Sequence, residues 1–149
     1  MLKPTAIATA ISGSLDILFA MILTVAFGRE IPNMLRYVAS GPFPAATVMG
    51  SAGAILGLVV HFALMAVMAA VLMICLQRNT QYLDHPALVG LVYGLLTYVV
   101  MNLIVVPLRF GTPMPPKLLS IMSQLFAHIV LVGIPMALVA RRYLRPQMA

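Results

Sequence analysis

Charge is scarce in this sequence. Only 8% of its 149 residues are Asp, Glu, Lys or Arg, while 62% are hydrophobic; an ordinary soluble domain carries about 25% charged and roughly 45–50% apolar residues. A water-soluble fold of this length cannot hide that much apolar surface. Cysteine is nearly absent as well. Cys75 stands alone, which excludes an internal disulfide, and its place beside Met73 and Ile74 with no neighbouring base reads as a small buried hydrophobe, not a nucleophile. HExxH pairs, CxxC pairs, glycine-rich phosphate loops and serine elbows are missing too, so familiar enzymes lack a starting motif.

The net charge of +6 invites a nucleic-acid reading, but the Lys and Arg residues sit at the ends of apolar runs and form no patch. They read as membrane-edge charges, with a lipid bilayer and no nucleic acid as the expected surroundings. At about 20 apolar residues per crossing, the chain has room for one domain of four transmembrane helices. Four segments answer to this, Thr5–Phe27, Ala52–Leu76, Pro86–Leu108 and Lys117–Arg141. Gly28-Arg29-Glu30, Gln77-Arg78-Asn79-Thr80 and Phe110-Gly111-Thr112-Pro113 with Pro115-Pro116 break them apart. The first could pass for a signal peptide; Asp16 in its middle and the lack of a small-residue cleavage site favour a retained helix. The expected fold is therefore an all-α membrane protein, an antiparallel four-transmembrane-helix bundle.

Between the first two crossings, Pro32 stands where a helix would begin, and Ile31, Leu35 and Val38 recur at helical spacing. A short interfacial helix is expected there, stopped by Gly41-Pro42-Phe43-Pro44. Twelve methionines are spread over all segments, Met65 and Met68 among them, which suits packing better than soft-metal transport.

An even number of crossings puts both termini on one side. Lys3, Arg78, Arg141, Arg142 and Arg145 fall on that side, Arg29, Arg36, Arg109 and Lys117 on the other. The Arg141-Arg142 pair at a helix end favours the termini in the cytoplasm.

Membrane helices associate through small residues and buried polar groups, and residues four apart share a face. The first crossing carries Ser12, Asp16 and Ala20. The second carries Gly53, Gly57, His61 and Met65, the third Gly90, Gly94, Tyr98 and Asn102, the fourth Ser120, Gln124 and His128. These stripes are expected to point into the bundle. At 1.5 Å per residue, His61 lies about 13 Å below the non-terminal surface, His128 and Asp16 about 16 Å and Asn102 about 9 Å, one slab near the midplane.

Ionisable residues at such depth are functional candidates by default and need partners. Asp16 with one of the two histidines is the expected pair, and Arg109 with Lys117 forms an electropositive mouth above it. A non-enzymatic role comes first, with proton-linked or small-solute movement through Asp16, His61, Asn102 and His128, flanked by Tyr98 and Gln124, as its concrete form. The alternative is a b-type haem electron-transfer protein with His61 and His128 as axial ligands across a diagonal of the bundle. Asp16 with the two histidines also supplies the residue types of a metal site. An accessory subunit of a larger complex, or a homo-oligomer, would use the glycine faces for partner helices. In the simplest case the four polar residues only tie the helices together.

Gly13-Ser14-Leu15-Asp16-Ile17, Val60-His61-Phe62, Tyr93-Gly94 with Met101-Asn102 and Val106-Pro107-Leu108, and Val132-Gly133-Ile134-Pro135 touch all four crossings. In these stretches the chain resembles a recurring kind of small, uncharacterised bacterial four-helix membrane protein. The resemblance implies that fold and no particular chemistry.

Overall fold

The computed structural model describes residues 1–112 and 114–145. Helix α1 runs over Leu2–Ala26 and a short α2 over Ile31–Ser40. Helices α3, α4 and α5 cover Gly50–Arg78, Pro86–Phe110 and Leu118–Leu144. Each of α1, α3, α4 and α5 is long and apolar enough to cross a membrane, and together they form an antiparallel all-α membrane bundle. Short 3₁₀ turns at Pro44–Val48 and Thr80–Asp84 complete the links. No crossing buries more than about a third of its most apolar window against protein, as expected where lipid solvates the remainder.

Glycine decides which helices touch. A Cβ on Gly90 or Gly94 of α4 would strike the backbone of α5 at Gly133–Ile134 or His128–Ile129, and one on Gly133 would strike Gly90 in return. Small residues thus let α4 and α5 approach backbone to backbone, where a larger side chain would hold them apart. Helix α5 is the hub of the bundle, contacting α1, α3 and α4, while α1 stands beside both α3 and α5. Tyr93 ties α4 to α3 by donating its hydroxyl proton to the Met68 carbonyl at 2.7 Å.

Two expectations need correction. Gly53 and Gly57 do not face the bundle interior: a Cβ on Gly57 would meet the Leu35 carbonyl of α2, and one on Gly53 the Ala46 carbonyl. They seat the 31–48 segment against the first turns of α3. Gly57 lies about 10 Å along α3 from Gly50, so α2 is packed onto a crossing along its buried Leu35–Ala39 face. Cys75 is exposed on the outer face of α3, not buried in the protein. Its apolar surroundings in sequence do not distinguish a lipid-facing position from a core one.

The interior is divided along the membrane normal. Toward the termini it is a closed apolar plug in which Ala8, Met65, Ala69, Leu72, Met73, Val132 and Met136 interlock. Toward the other surface the polar residues gather.

Candidate functional site

Asp16, His61, Asn102 and His128 come from four different crossings. Counted from the helix ends now seen, they lie about 15, 17, 12 and 15 Å from the non-terminal end of their own helices. For antiparallel rods these distances put the four within about 5 Å of one level.

On one side of the site, the His61 Nε2–H donates to the Gly13 carbonyl at 2.9 Å, and Nδ1 faces Asp16 Oδ2 at 4.0 Å. The His61 ring is 7% exposed overall and packs edge-on against Phe62. With Nε2 committed as a donor, neutral His61 presents a bare Nδ1 to Asp16. One proton therefore suits the pair in either of two forms, imidazolium with carboxylate or imidazole with carboxylic acid.

On the other side, His128 Nδ1–H donates to the carbonyl of Gln124, one turn earlier, at 3.0 Å. Its Nε2 lies 3.5 Å from Asn102 Nδ2, and the Tyr98 ring meets the imidazole edge-on at 6.0 Å. Rotating the Asn102 amide by half a turn would present its oxygen instead, so Asn102 can serve neutral or protonated His128. Asp16 lies within electrostatic reach of both histidines, with His61 the one in near contact. Beside it, Ser12 donates to the Val132 carbonyl at 3.3 Å, at the top of the apolar plug. Among the described residues, no buried side-chain nitrogen or oxygen is left without a partner.

Asn102 and His128 share a local feature that the sequence reading missed. Each lies in a seven-residue π-helical stretch, Val99–Val105 in α4 and Ala127–Gly133 in α5, and each stretch ends two residues before a proline, Pro107 or Pro135. Proline lacks an N–H and its ring crowds the carbonyl four residues back, here Leu103 or Leu131. A wider turn relieves that crowding, and such turns often mark functional positions. The two prolines inside apolar runs were the available signal.

A cleft of about 320 Å³ opens beside this side of the site, lined by Arg29, Tyr98, Asn102, Val106, Thr112, Pro116, Lys117, Ser120 and Gln124. Tyr98, Gln124 and Lys117 are thus among the residues that line it. Arg109 does not line it: its guanidinium donates to the Gly41 carbonyl at 2.6 Å and the Ser40 carbonyl at 2.8 Å, holding the C-terminus of α2, while Phe110 stacks on Tyr37. Helix C-terminal carbonyls lack internal partners and draw a cation. Arg29, three residues past the end of α1, supplies the second positive charge at the mouth instead. It was legible only as a helix-end arginine on the same surface as Lys117.

A haem between His61 and His128 meets an obstacle in this arrangement. Helix α3 meets α5 along the Ile134–Leu144 portion, on the terminal side of His128, and α1 packs against both helices. The four ring nitrogens face Gly13, Asp16, Gln124 and Asn102. The mixed metal site fares no better, because no three His, Cys, Asp or Glu groups among the described residues are placed to hold an ion.

Compared with protein-family models, curated proteins and solved structures, the chain matches none.

Proposed function

We propose that the protein moves a small solute across a bacterial inner membrane, coupled to protons held at the site of Asp16, His61, Asn102 and His128, with both termini in the cytoplasm. The observation that carries this reading is the position of Asp16: a carboxylate 4.0 Å from the His61 ring and within electrostatic reach of His128, about two turns of α1 from Ala8 of the apolar plug, on the side of the plug where a polar cleft opens toward the opposite surface. Imidazole and carboxylate groups exchange protons near physiological pH, and inside a membrane they mark proton relays. A site open to one side and plugged on the other is one half of an alternating-access cycle. The other half requires Met65, Met73, Val132 and Met136 to part, by sliding along the glycine contacts of α4 and α5 or by rocking α1 with α3.

The test is reconstitution in liposomes with a pH-sensitive dye inside. Asp16→Asn keeps the side-chain shape and removes the titrating group, and is expected to reduce proton uptake driven by a solute gradient at least tenfold. Uptake unchanged in Asp16→Asn would remove the carboxylate from the mechanism and the reading with it.

A further inference from the structure

The cleft has a chemical character of its own. Its lining brings two cations, Arg29 and Lys117, together with side-chain amides and hydroxyls that can donate, and includes no acid. The chain has three acidic residues, and the structure gives each an occupation elsewhere. Asp16 faces the histidines. Asp84 pairs with Arg145 at 2.8 Å on the opposite side of the membrane. Glu30 accepts from the Asn33 amide at 2.9 Å and lines the neighbouring groove, which shares Arg29 with the cleft, without pairing with that arginine. Among the described residues, neither Arg29 nor Lys117 has an ion-pair partner.

From this we propose that the cleft is a binding site for a small oxoanion, a carboxylate or phosphate group, held between Arg29 and Lys117 with its inner end toward Asn102. The proposal rests on the transport reading for its purpose and names the solute class, an anion moved together with a proton. Arg presents a planar fork that matches carboxylate and phosphate oxygens, and Lys a mobile point charge. The Asn102 and Gln124 amides and the Tyr98 hydroxyl can donate to further oxygens. At about 320 Å³ the cleft stands at the lower end of ligand-site volumes, roughly 300–1,000 Å³, which selects a small molecule. A proton on the Asp16–His61–His128 group would offset the anion's charge as it moves inward. Arg109 has no place in this site because its donors are committed to Ser40 and Gly41.

Anionic oxygens can come from a free solute or from a lipid headgroup, and the experiment separates the two. The full-length protein is placed in nanodiscs of phosphatidylcholine alone, or with about a third phosphatidylglycerol, and titrated with radiolabelled acetate and inorganic phosphate. Arg29→Gln, Lys117→Gln and, as a remote control, Arg78→Gln are compared. Saturable binding of either anion in phosphatidylcholine, weakened at least tenfold in Arg29→Gln and Lys117→Gln and unchanged in Arg78→Gln, supports a free-solute site. Phosphatidylglycerol retained on detergent extraction, lost in the same two variants and excluding the free anions, supports the oxoanion site with a lipid as its occupant. Absence of both, or equal binding in all variants, overturns the proposal. The two readings also fail separately. Oxoanion binding without Asp16-dependent flux leaves the site and removes transport, whereas Asp16-dependent flux of a neutral or cationic solute keeps transport and removes the oxoanion site.

Discussion

Substituting Gly94 by alanine tests the close approach of α4 and α5, on which the position of His128 depends. A Cβ at Gly94 would fall on the His128 carbonyl carbon and oxygen and the Ile129 Cα. All three are backbone atoms inside a π-helical stretch, so no rotamer change can make room. Forcing a methyl group into a packed contact costs typically about 1–3 kcal/mol. Against this, alanine is the better helix former by roughly 0.8–1.0 kcal/mol. The difference is a net loss of up to about 2 kcal/mol, a factor of up to about 30 in the folding equilibrium. The matched control is Gly13→Ala, whose Cβ meets only the Phe62 ring and the Met65 side chain; a turn of the half-buried phenylalanine relieves most of the clash, so the loss there stays under about 1 kcal/mol. Both are read by denaturant unfolding in mixed micelles, together with the His128 ring signals in a nitrogen-15 histidine spectrum. Gly94→Ala is expected to lower stability and shift those signals, and Gly13→Ala to leave the His128 signals in place. Equal stability of the two variants, or an unshifted His128 in Gly94→Ala, would refute the backbone-contact reasoning.

Two further outcomes follow from the ends of the bundle. Arg109→Gln removes the two charged hydrogen bonds that hold the α2 C-terminus; at this exposed position their loss is worth about 1–2 kcal/mol, so amide exchange over residues 31–41 is expected to rise roughly 5- to 30-fold. Arg109→Lys is not expected to restore protection, because an ammonium cannot reproduce the fork that spans both carbonyls, and normal exchange in Arg109→Gln would deny Arg109 the anchoring role. Asp84→Asn breaks a pair whose side chains are both about half exposed, so its cost is under about 1 kcal/mol and fades at high salt; a salt-independent loss of about 2 kcal/mol would mean the link is buried in the membrane-embedded protein.

How much was legible from the chain differs by element. The four crossings lay within a few residues of the segments drawn from hydropathy, because a helix in lipid must satisfy its own backbone and expose an apolar surface over a fixed length. Asp16, His61, Asn102 and His128 were legible as a slab for the same reason: rigid rods of known rise, anchored at their ends, fix the depth of every residue. Depth does not fix azimuth, however. Gly53 and Gly57 share the His61 stripe yet meet α2, because a helix has room for different neighbours at different heights. Arg109 and Arg29 are both helix-end arginines on one surface, and only the placement of the α2 C-terminus decides which is committed to carbonyls and which lines the cleft.

The sequence by itself determined that this is a membrane protein of four apolar helices, and at what level its few polar groups lie, because hydrophobic length and helical rise are local properties. The tertiary structure alone decided that α5 is the hub, that His61 is the histidine beside Asp16, that proline-linked π-helical stretches carry Asn102 and His128, and that the interior is plugged toward the termini and cleft toward the other face. Those depend on which backbone can approach which. That is set by contacts between residues far apart in the chain, such as Gly90 with Gly133, and periodicity along a single helix carries no record of its partner.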